Sequence, residues 1–279
     1  MGTITFQVFP PPDPLTRDVE CIRVAMHRGT DHGLEVKVCP NGLPGLVSNL
    51  SADGTAAIES ITVGSFKVTD LPTLFLHGQG AAPSIMRFKQ GPYTTIQVVL
   101  KPHALYSIFG MDASAFSKGL IQPEEFDAPG LTERVLAAHD DVARITLLCT
   151  MLTDKLNQSP QRDELIEKSL GFIHANIASV AVKDILRHVH LSERQFQKRF
   201  TKVVGMPAQL YIRIKRVNES LQLMSSGRYE KLSDVAHALN FYDQSHFIRE
   251  MKAFSWVTPK DITQKVSEFH QDAASASYL

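Results

Sequence analysis

Two short stretches in the second half of the sequence combine cationic and amide side chains at helical spacing. They are Ser192–Phe200 and Asp243–Met251, and they align with each other position by position. Each begins with a residue whose side-chain oxygen can accept hydrogen bonds from the free N–H groups at a helix start. Arg and Lys side chains pair with guanine or phosphate, and Gln side chains pair with adenine. These residue types therefore point to contact with a nucleic acid.

A rotation of about 100° per residue divides each stretch into an apolar and a polar side. The apolar sides hold Phe196 and Phe200 in the first copy, and Phe247, Met251 and Phe254 in the second. The polar sides and their flanks hold Arg194, Gln195, Gln197 and Lys198, and then Gln244, Ser245, His246, Arg249 and Lys252. A single amphipathic helix with a solvated face would look the same, but two copies at matched positions favour a shared binding role.

The charge of the chain is distributed unevenly. Residues 181–265 contain 15 Lys and Arg against 8 Asp and Glu, a net charge of +7. The remainder contains 14 and 21, a net charge of −7, so the formal total is zero. A solvated charged face is one explanation, but cations collected in one segment favour a polyanionic partner.

A helix-turn-helix layout surrounds each stretch. Short amphipathic segments precede them at Val182–Leu186 and Leu232–Ala236, and prolines follow at Pro207 and Pro259. Between the two units, residues 207–226 form a continuous helical pattern. A helix of that length spans about 30 Å, near the helical repeat of B-DNA, so two recognition helices at about 192–203 and 243–254 would reach successive major grooves.

Three cations lie along this connecting helix, at Arg213, Lys215 and Arg216. Contact with phosphate and ion pairing within the protein are equally consistent with their positions.

The first half of the chain has a different pattern. Short β-rich runs alternate with turn residues and predict a sandwich or barrel; the runs are Cys21–Met26, Leu34–Val38, Ile61–Phe66 and Thr94–Leu100. Lys101–Gly110 predicts a short helix, residues 131–156 predict one long helix, and residues 162–178 predict another. The apolar stripe of the long helix, which includes Val142 and Cys149, either packs on its own domain or forms a dimer seam.

These patterns predict an α+β protein of two domains. Residues 1–158 would form a β-rich regulatory or dimerisation domain with trailing helices. Residues 162–268 would form an all-α DNA-binding domain with two helix-turn-helix units joined by a long helix.

The second region resembles a known family. Ser192–Phe200, Gly205 with Pro207, Tyr211, Val235-Ala236 and Phe241–Arg249 are similar to motifs of the DNA-binding domain of AraC-type transcriptional regulators. The resemblance covers about residues 165–265 and implies a seven-helix, promoter-binding domain. The preceding strands and helices look like the β-rich sensing or dimerising domain of one branch of the family.

Four positions depart from the family pattern: Leu186 and Ser220 stand where alanine is usual, and two residues stand at glycine positions. Asn240 stands where a glycine is common, and we expect Asn to adopt the left-handed conformation that this turn needs. Trp256 stands where a glycine closes the second unit; it either covers the end of the domain or contacts a partner, and we expect packing.

The resemblance also implies site residues and partners. Base contacts are carried over to Arg194, Gln195, Gln197, Lys198, Gln244, Ser245, His246 and Arg249, with further DNA contacts from Lys202 and Lys252. The partners implied are promoter duplex DNA, a small-molecule effector, a second subunit in a homodimer and, for an activator, RNA polymerase. No cofactor is implied.

A metalloenzyme of the cupin type is one alternative. His27, His32 and Glu35 are its only metal-type grouping, and the glycines among them indicate a loop rather than a ligand-bearing strand. His77-Gly78-Gln79-Gly80 lacks the Lys-Ser/Thr of a phosphate loop. We therefore expect neither an enzyme nor a metal site.

A sequence-blind architectural DNA binder is the other alternative. It would bind unrelated duplexes equally, whereas a regulator discriminates by about 10³ or more. No apolar run approaches the roughly 18 residues of a membrane span, and the amino terminus lacks a secretory pattern. The three scattered cysteines fit a reducing cytoplasm, and we expect no membrane contact.

Overall fold

The computed structural model describes residues 4–29, 33–116, 120–126, 128–158, 161–227, 229–256, 258, 269–271 and 276–278. The strands are β1 (Ile4–Phe9), β2 (Val19–His27), β3 (Leu34–Val38), β4 (Gly45–Ser51), β5 (Ile58–Val63), β6 (Phe66–Thr69), β7 (Leu74–His77), β8 (Ser84–Phe88), β9 (Tyr93–Leu100), β10 (Leu120–Ile121), β11 (Phe269–Gln271) and β12 (Ala276–Tyr278). The helices are α1 (Ala104–Phe109), α2 (Leu131–Ala137), α3 (Asp141–Gln158), α4 (Glu164–Ala175), α5 (Val182–Leu186), α6 (Glu193–Val204), α7 (Ala208–Ser225), α8 (Leu232–Ala238) and α9 (Gln244–Ser255).

The strands form two six-stranded antiparallel sheets. The first has the order β1-β2-β9-β4-β7-β10 and the second has the order β11-β12-β3-β8-β5-β6. Side chains alternate between the faces of a strand, so strands β4, β7 and β9 of the first sheet each serve two cores. Leu46 packs towards α1, α2 and α3, whereas Val47 packs against Ile58 and Phe88 of the second sheet. The predicted β-rich sandwich is confirmed, with helices on its outer face.

Two sequence-based element assignments are wrong. The predicted strand Ile61–Phe66 is a hairpin, because Gly64 turns the chain at φ +59° between β5 and β6. The predicted helix 131–156 is two helices, α2 and α3. Ala138 is extended (ψ 133°) and ends α2, and the Asp140 side chain accepts a hydrogen bond of 2.7 Å from the Ala143 N–H to begin α3.

The break between α2 and α3 changes which side chains are buried. Arg144 donates to the carbonyls of Val135 and Ala138, both at 3.4 Å, and so satisfies the end of α2. Val142, part of the predicted apolar stripe, is 71% exposed, while Cys149 is buried.

Helices α4 to α9 enclose a separate core, the helical core, in which Phe196, Phe200, Tyr211 and Phe247 are fully buried. These helices confirm the predicted layout of two helix-turn-helix units and a connector. The described ranges contain six of the seven helices that the resemblance implies. None of the helices in the described ranges combines the length and apolar composition needed to cross a membrane.

The turns of the second unit are set by two residues in the left-handed conformation. Asn240 has φ +52°, which confirms the expectation for that turn. Trp256 has φ +57° and closes α9 through a hydrogen bond from its N–H to the Lys252 carbonyl at 3.0 Å. The Trp256 side chain is 39% exposed, so it is only partly packed.

Replacement of Phe247 by alanine should destabilise the protein by about 3–5 kcal/mol, because its ring is fully buried and its loss leaves a cavity in the helical core. Urea unfolding would measure the change. Phe66→Ala is the matched control, since Phe66 is 62% exposed and its loss should leave stability unchanged. Equal unfolding midpoints for Phe247→Ala and the wild type would contradict this account of the core.

Candidate nucleic-acid interface

Helix α6 is fixed at both ends by local signals. Ser192 accepts a hydrogen bond from the Gln195 N–H at 3.3 Å, and the Gln195 side-chain oxygen accepts from the Ser192 N–H at 3.0 Å. Gly205 ends the helix at φ +88°. Because Phe196 and Phe200 face the core, Arg194 and Lys198 extend into solvent.

Helix α9 is built in the same way. The Asp243 carboxylate accepts a hydrogen bond of 2.6 Å from the His246 N–H and begins the helix. Burial of Phe247 and Met251 leaves an exposed row formed by Gln244, Ser245, Arg249 and Lys252.

The two helices border the same cleft. It is open, has a volume of about 670 Å³, and is lined by Gln197 from α6, His246 from α9, and Arg213 from α7 between them. Arg213 also forms two hydrogen bonds with the Glu250 carboxylate, at 2.9 and 2.8 Å, and so fixes α9 against the connector. The amino-terminal halves of the two helices therefore border one cleft.

Four of the predicted DNA-contacting residues have partners inside the protein. Gln195 caps α6, and the Gln197 side-chain oxygen accepts from the Ala208 N–H at 3.3 Å. His246 Nδ1 accepts from the Tyr242 N–H at 3.4 Å. The Lys202 ammonium lies 5.3 Å from the centre of the Tyr106 ring, at the border with the first domain.

The other six predicted residues lie on the solvent side of their helices. Arg249 donates to the Ser245 carbonyl of its own helix at 3.3 Å, which leaves its terminal nitrogens pointing outwards. Within the described residues, none of the six side chains forms an ion pair or a hydrogen bond with another helix or strand. They are Arg194, Lys198, Gln244, Ser245, Arg249 and Lys252.

The cations of the connecting helix are engaged within the protein. Arg213 pairs with Glu250, and Arg216 donates to the carbonyls of Ile177 and Val180 at 3.2 and 2.9 Å. Burial lowers the pKa of Lys215, and the nearby carboxylates of Glu20 and Glu219 oppose that shift. Arg213 therefore forms the ion pair within the protein that was one of the two explanations the sequence left open.

Comparison with known proteins agrees with this geometry. Residues 185–265 match a family described as a helix-turn-helix domain, and residues 7–122 match a domain of unknown function, DUF6597. The HTH-type transcriptional activator AarP of Providencia stuartii is 27% identical over 99 residues, which are 35% of this chain and 73% of that protein. These matches support an AraC-type, DNA-binding transcriptional regulator with a separate amino-terminal domain.

Two further proteins are similar to this regulator. An uncharacterised HTH-type transcriptional regulator of Escherichia coli (strain K12), YidL, is 26% identical over 128 residues, 46% of this chain and 42% of that one. The structure of ToxT from Vibrio cholerae overlays with a TM-score of 0.46 at 13% identity, covering 93% of this chain and 97% of that chain.

The first domain of the regulator contacts the carboxyl-terminal end of helix α6. Tyr106 of α1 lies against Lys202, and a Cβ atom at Gly205 would come within 2.9 Å of the Ala113 carbonyl oxygen. Arg199 of α6 pairs with Asp163 at the start of α4. The first recognition helix is therefore held by the domain that precedes it in the chain.

The loop after β3 contacts the connecting helix. Cys39 is buried within the core of the regulator's helical domain, where burial raises the pKa of its thiol to about 12. The Pro40 carbonyl accepts from the Asn218 amide at 2.8 Å. Gly42, at φ +71°, approaches the Tyr211 ring so closely that a Cβ atom there would lie 2.8 Å from it.

A buried carboxylate joins the two domains of the regulator. Asp18 is fully buried and accepts a hydrogen bond of 2.8 Å from Arg162, just before α4. Ser107 of α1 also donates to Asp18, and His103 Nε2 lies 3.5 Å from it. Burial raises the pKa of Asp18, but the nearby His103 and the hydrogen bonds from Arg162 and Ser107 outweigh burial and hold the pKa below its usual range.

Neither of the described members of the predicted metal grouping has a ligand-like setting. His27 stacks on Tyr93 with 5.0 Å between ring centres, and Glu35 pairs with Arg87 at 3.0 Å. His32 lies outside the described residues. Within the described ranges, no three His, Cys, Asp or Glu side chains are grouped so that they could hold a metal ion.

Sequence reasoning did not find Tyr106, Asp18 or the loop after β3. Each of them acts through a partner more than 80 positions away along the chain, as with the 144 positions between Asp18 and Arg162. No periodic pattern signals such a contact.

Replacement of Asp18 by asparagine should destabilise the folded protein by about 3 kcal/mol at neutral pH, because Arg162 then loses the fully buried one of its two carboxylate partners and keeps only Glu167. The folded pKa of Asp18 lies below the unfolded value, so its contribution is complete above about pH 4 and declines as pH falls towards the folded pKa. The gap between variant and wild type should therefore narrow below about pH 4.

Urea unfolding across a series of pH values measures this gap. Asp154→Asn, which changes an exposed carboxylate on α3, is the matched control and should match the wild type throughout. An unchanged midpoint for Asp18→Asn at neutral pH would contradict the role assigned to this carboxylate.

Proposed function

We propose that the protein is a sequence-specific promoter-binding regulator that inserts α6 and α9 into successive major grooves of one duplex. The observation that carries this proposal is the cleft bordered by both helices and by α7. Helix α7 has 18 residues and is about 27 Å long, close to the spacing of adjacent grooves on one face of B-DNA.

The exposed side chains of the two helices divide into two roles in this proposal. Arg194, Gln244 and Arg249 contact base edges, since Arg pairs with guanine and Gln with adenine. Lys198 and Lys252 neutralise phosphates and supply the salt-dependent part of the affinity.

The remaining predicted residues contribute through groups that their internal contacts leave available. The amide nitrogens of Gln195 and Gln197 remain donors while the oxygens hold the helix ends. Ser245 and His246 support the second helix at the groove. Lys202 contacts phosphate only when it leaves the Tyr106 ring.

The sandwich and the helical domain have separate roles in this proposal. We propose that residues 1–158 form the regulatory domain and residues 162–268 the DNA-binding domain. The first senses a small molecule, dimerises, or does both; an activator would also contact RNA polymerase. The protein works in the cytoplasm and is not an enzyme, in keeping with relatives that are transcriptional regulators.

Coupling between the domains runs through contacts to α6 and α7. An effector shifts the balance between two arrangements only by the difference in its affinity for them. Tyr106 and Ala113 lie directly against α6, and the loop after β3 lies against α7. A change in the sandwich that moves these groups alters how the recognition helices meet DNA.

Replacement of Arg194 by alanine should weaken binding to the preferred duplex by about 1–3 kcal/mol and relax the base preference at one position of the site. Binding would be measured on a duplex enriched from a random library by the wild-type protein, and on a scrambled duplex at the same salt concentration. Arg134→Ala, which removes an exposed arginine from α2, is the charge-matched control and should leave both affinities unchanged.

The same assay separates the regulator from an architectural binder. Equal affinity of the wild type for the enriched and scrambled duplexes would support sequence-blind binding. Full retention of affinity and preference in Arg194→Ala would remove that side chain from the base-reading set.

A further inference from the structure

The second helix-turn-helix unit has an aromatic side chain that is exposed to solvent. The side chain of Tyr242 is 92% exposed and immediately precedes Asp243, the residue that begins α9. Within the described part of the chain, its ring and hydroxyl contact no other side chain through a hydrogen bond or ring stacking. An aromatic ring left in water contributes no burial to the fold.

The first unit uses the matching position differently. Leu191 precedes Ser192 just as Tyr242 precedes Asp243, and Leu191 packs against the helical core. An apolar residue at this position commonly packs on the fourth residue of the helix, which stabilises the entry of the chain.

In the second unit, Phe241 takes over that packing. Its ring lies 5.1 Å from the Phe247 ring, and Asn240 in the left-handed conformation turns the chain just before it. With Phe241 directed inwards, the next side chain is directed outwards. Tyr242 is therefore held in solvent by the shape of the turn.

The turn also lies beside the cleft between the recognition helices. The Tyr242 N–H donates to His246 Nδ1 at 3.4 Å, and His246 lines that cleft. In helix-turn-helix complexes, the first residues of the recognition helix approach the bases. The residue before them lies at the edge of the groove, where sugars and phosphates run.

We propose that Tyr242 is a positioning residue for DNA, whose hydroxyl donates to a backbone phosphate while its ring packs on the adjacent deoxyribose. Tyrosine is one of the side chains that proteins use for such backbone contacts, which fix register without reading sequence. This inference rests on the proposed insertion of α9. It assigns to the second unit an anchoring contact that Leu191, packed inside, does not provide in the first.

The test compares four variants on the enriched duplex. Tyr242→Phe removes only the hydroxyl and should weaken binding about threefold to tenfold. Tyr242→Ala removes the ring as well and should weaken binding further. Arg249→Ala tests whether α9 enters the groove, and Phe66→Ala, an exposed aromatic on the outermost strand of the second sheet, should have no effect.

Four readouts distinguish a backbone contact from other roles. The loss in Tyr242→Ala should be the same on enriched and scrambled duplexes, and the salt dependence should stay as in the wild type, because tyrosine is uncharged. Hydroxyl-radical footprinting should show lost protection at sugars on one side of the second groove. Thermal unfolding should be unchanged.

The outcomes separate this inference from the proposed function. Wild-type binding by both Tyr242 variants together with weakened binding by Arg249→Ala would overturn the inference and support the insertion of α9. Wild-type binding by all three variants would overturn both. A changed base preference or a lowered unfolding temperature in Tyr242→Ala would show a reading or folding role and would also overturn the assignment.

Discussion

The pairing of one buried carboxylate with one arginine constrains much of the molecule. Asp18 has no exposure to water, and an ionised group in that position is stable only when it is paired and hydrogen-bonded. Arg162, which meets this need, stands directly before α4, and Ser107 of α1 donates from the other side. Because Asp163, the next residue after Arg162, pairs with Arg199 of α6, the sandwich, the linker and the first recognition helix form one connected set of charges.

The contacts between the sandwich and α6 lie at the carboxyl-terminal end of that helix, whereas Arg194 and Lys198 are exposed nearer its amino-terminal end. Tyr106 and Ala113 reach the carboxyl-terminal end of α6, and Cys39 reaches the core behind α7. The surface available to DNA and the surface available to regulation therefore belong to the same helix but to different parts of it. A shift of α6 along or about its axis would therefore change both of these surfaces.

The sequence predicted the helical domain well because its signals are local. Helix starts at Ser192 and Asp243 and the buried phenylalanines follow from neighbouring residues alone. The prediction of a single helix over residues 131–156 was wrong. It followed the regular apolar spacing and did not take account of Asp140, whose side chain can cap a new helix start. Strand β4 was not predicted because it contains Asn49, a residue uncommon in strands. The Asn49 side chain forms hydrogen bonds with backbone groups far away in the sequence, including the Ile58 N–H. The exposure of Tyr242 depends on how Phe241 packs, which spacing does not reveal.

The last two strands have a topological consequence. Strand β12 pairs with β3, at Ser277 with Val38 and Tyr278 with Lys37, and β11 extends the same sheet outwards. The chain thus leaves the sandwich after α3, builds the helical domain, and returns to the sandwich, so the DNA-binding helices form an insertion between two parts of one β-structure. A body attached at both ends can pivot about the line through its two attachments, but it cannot swing freely as a body on a single tether does.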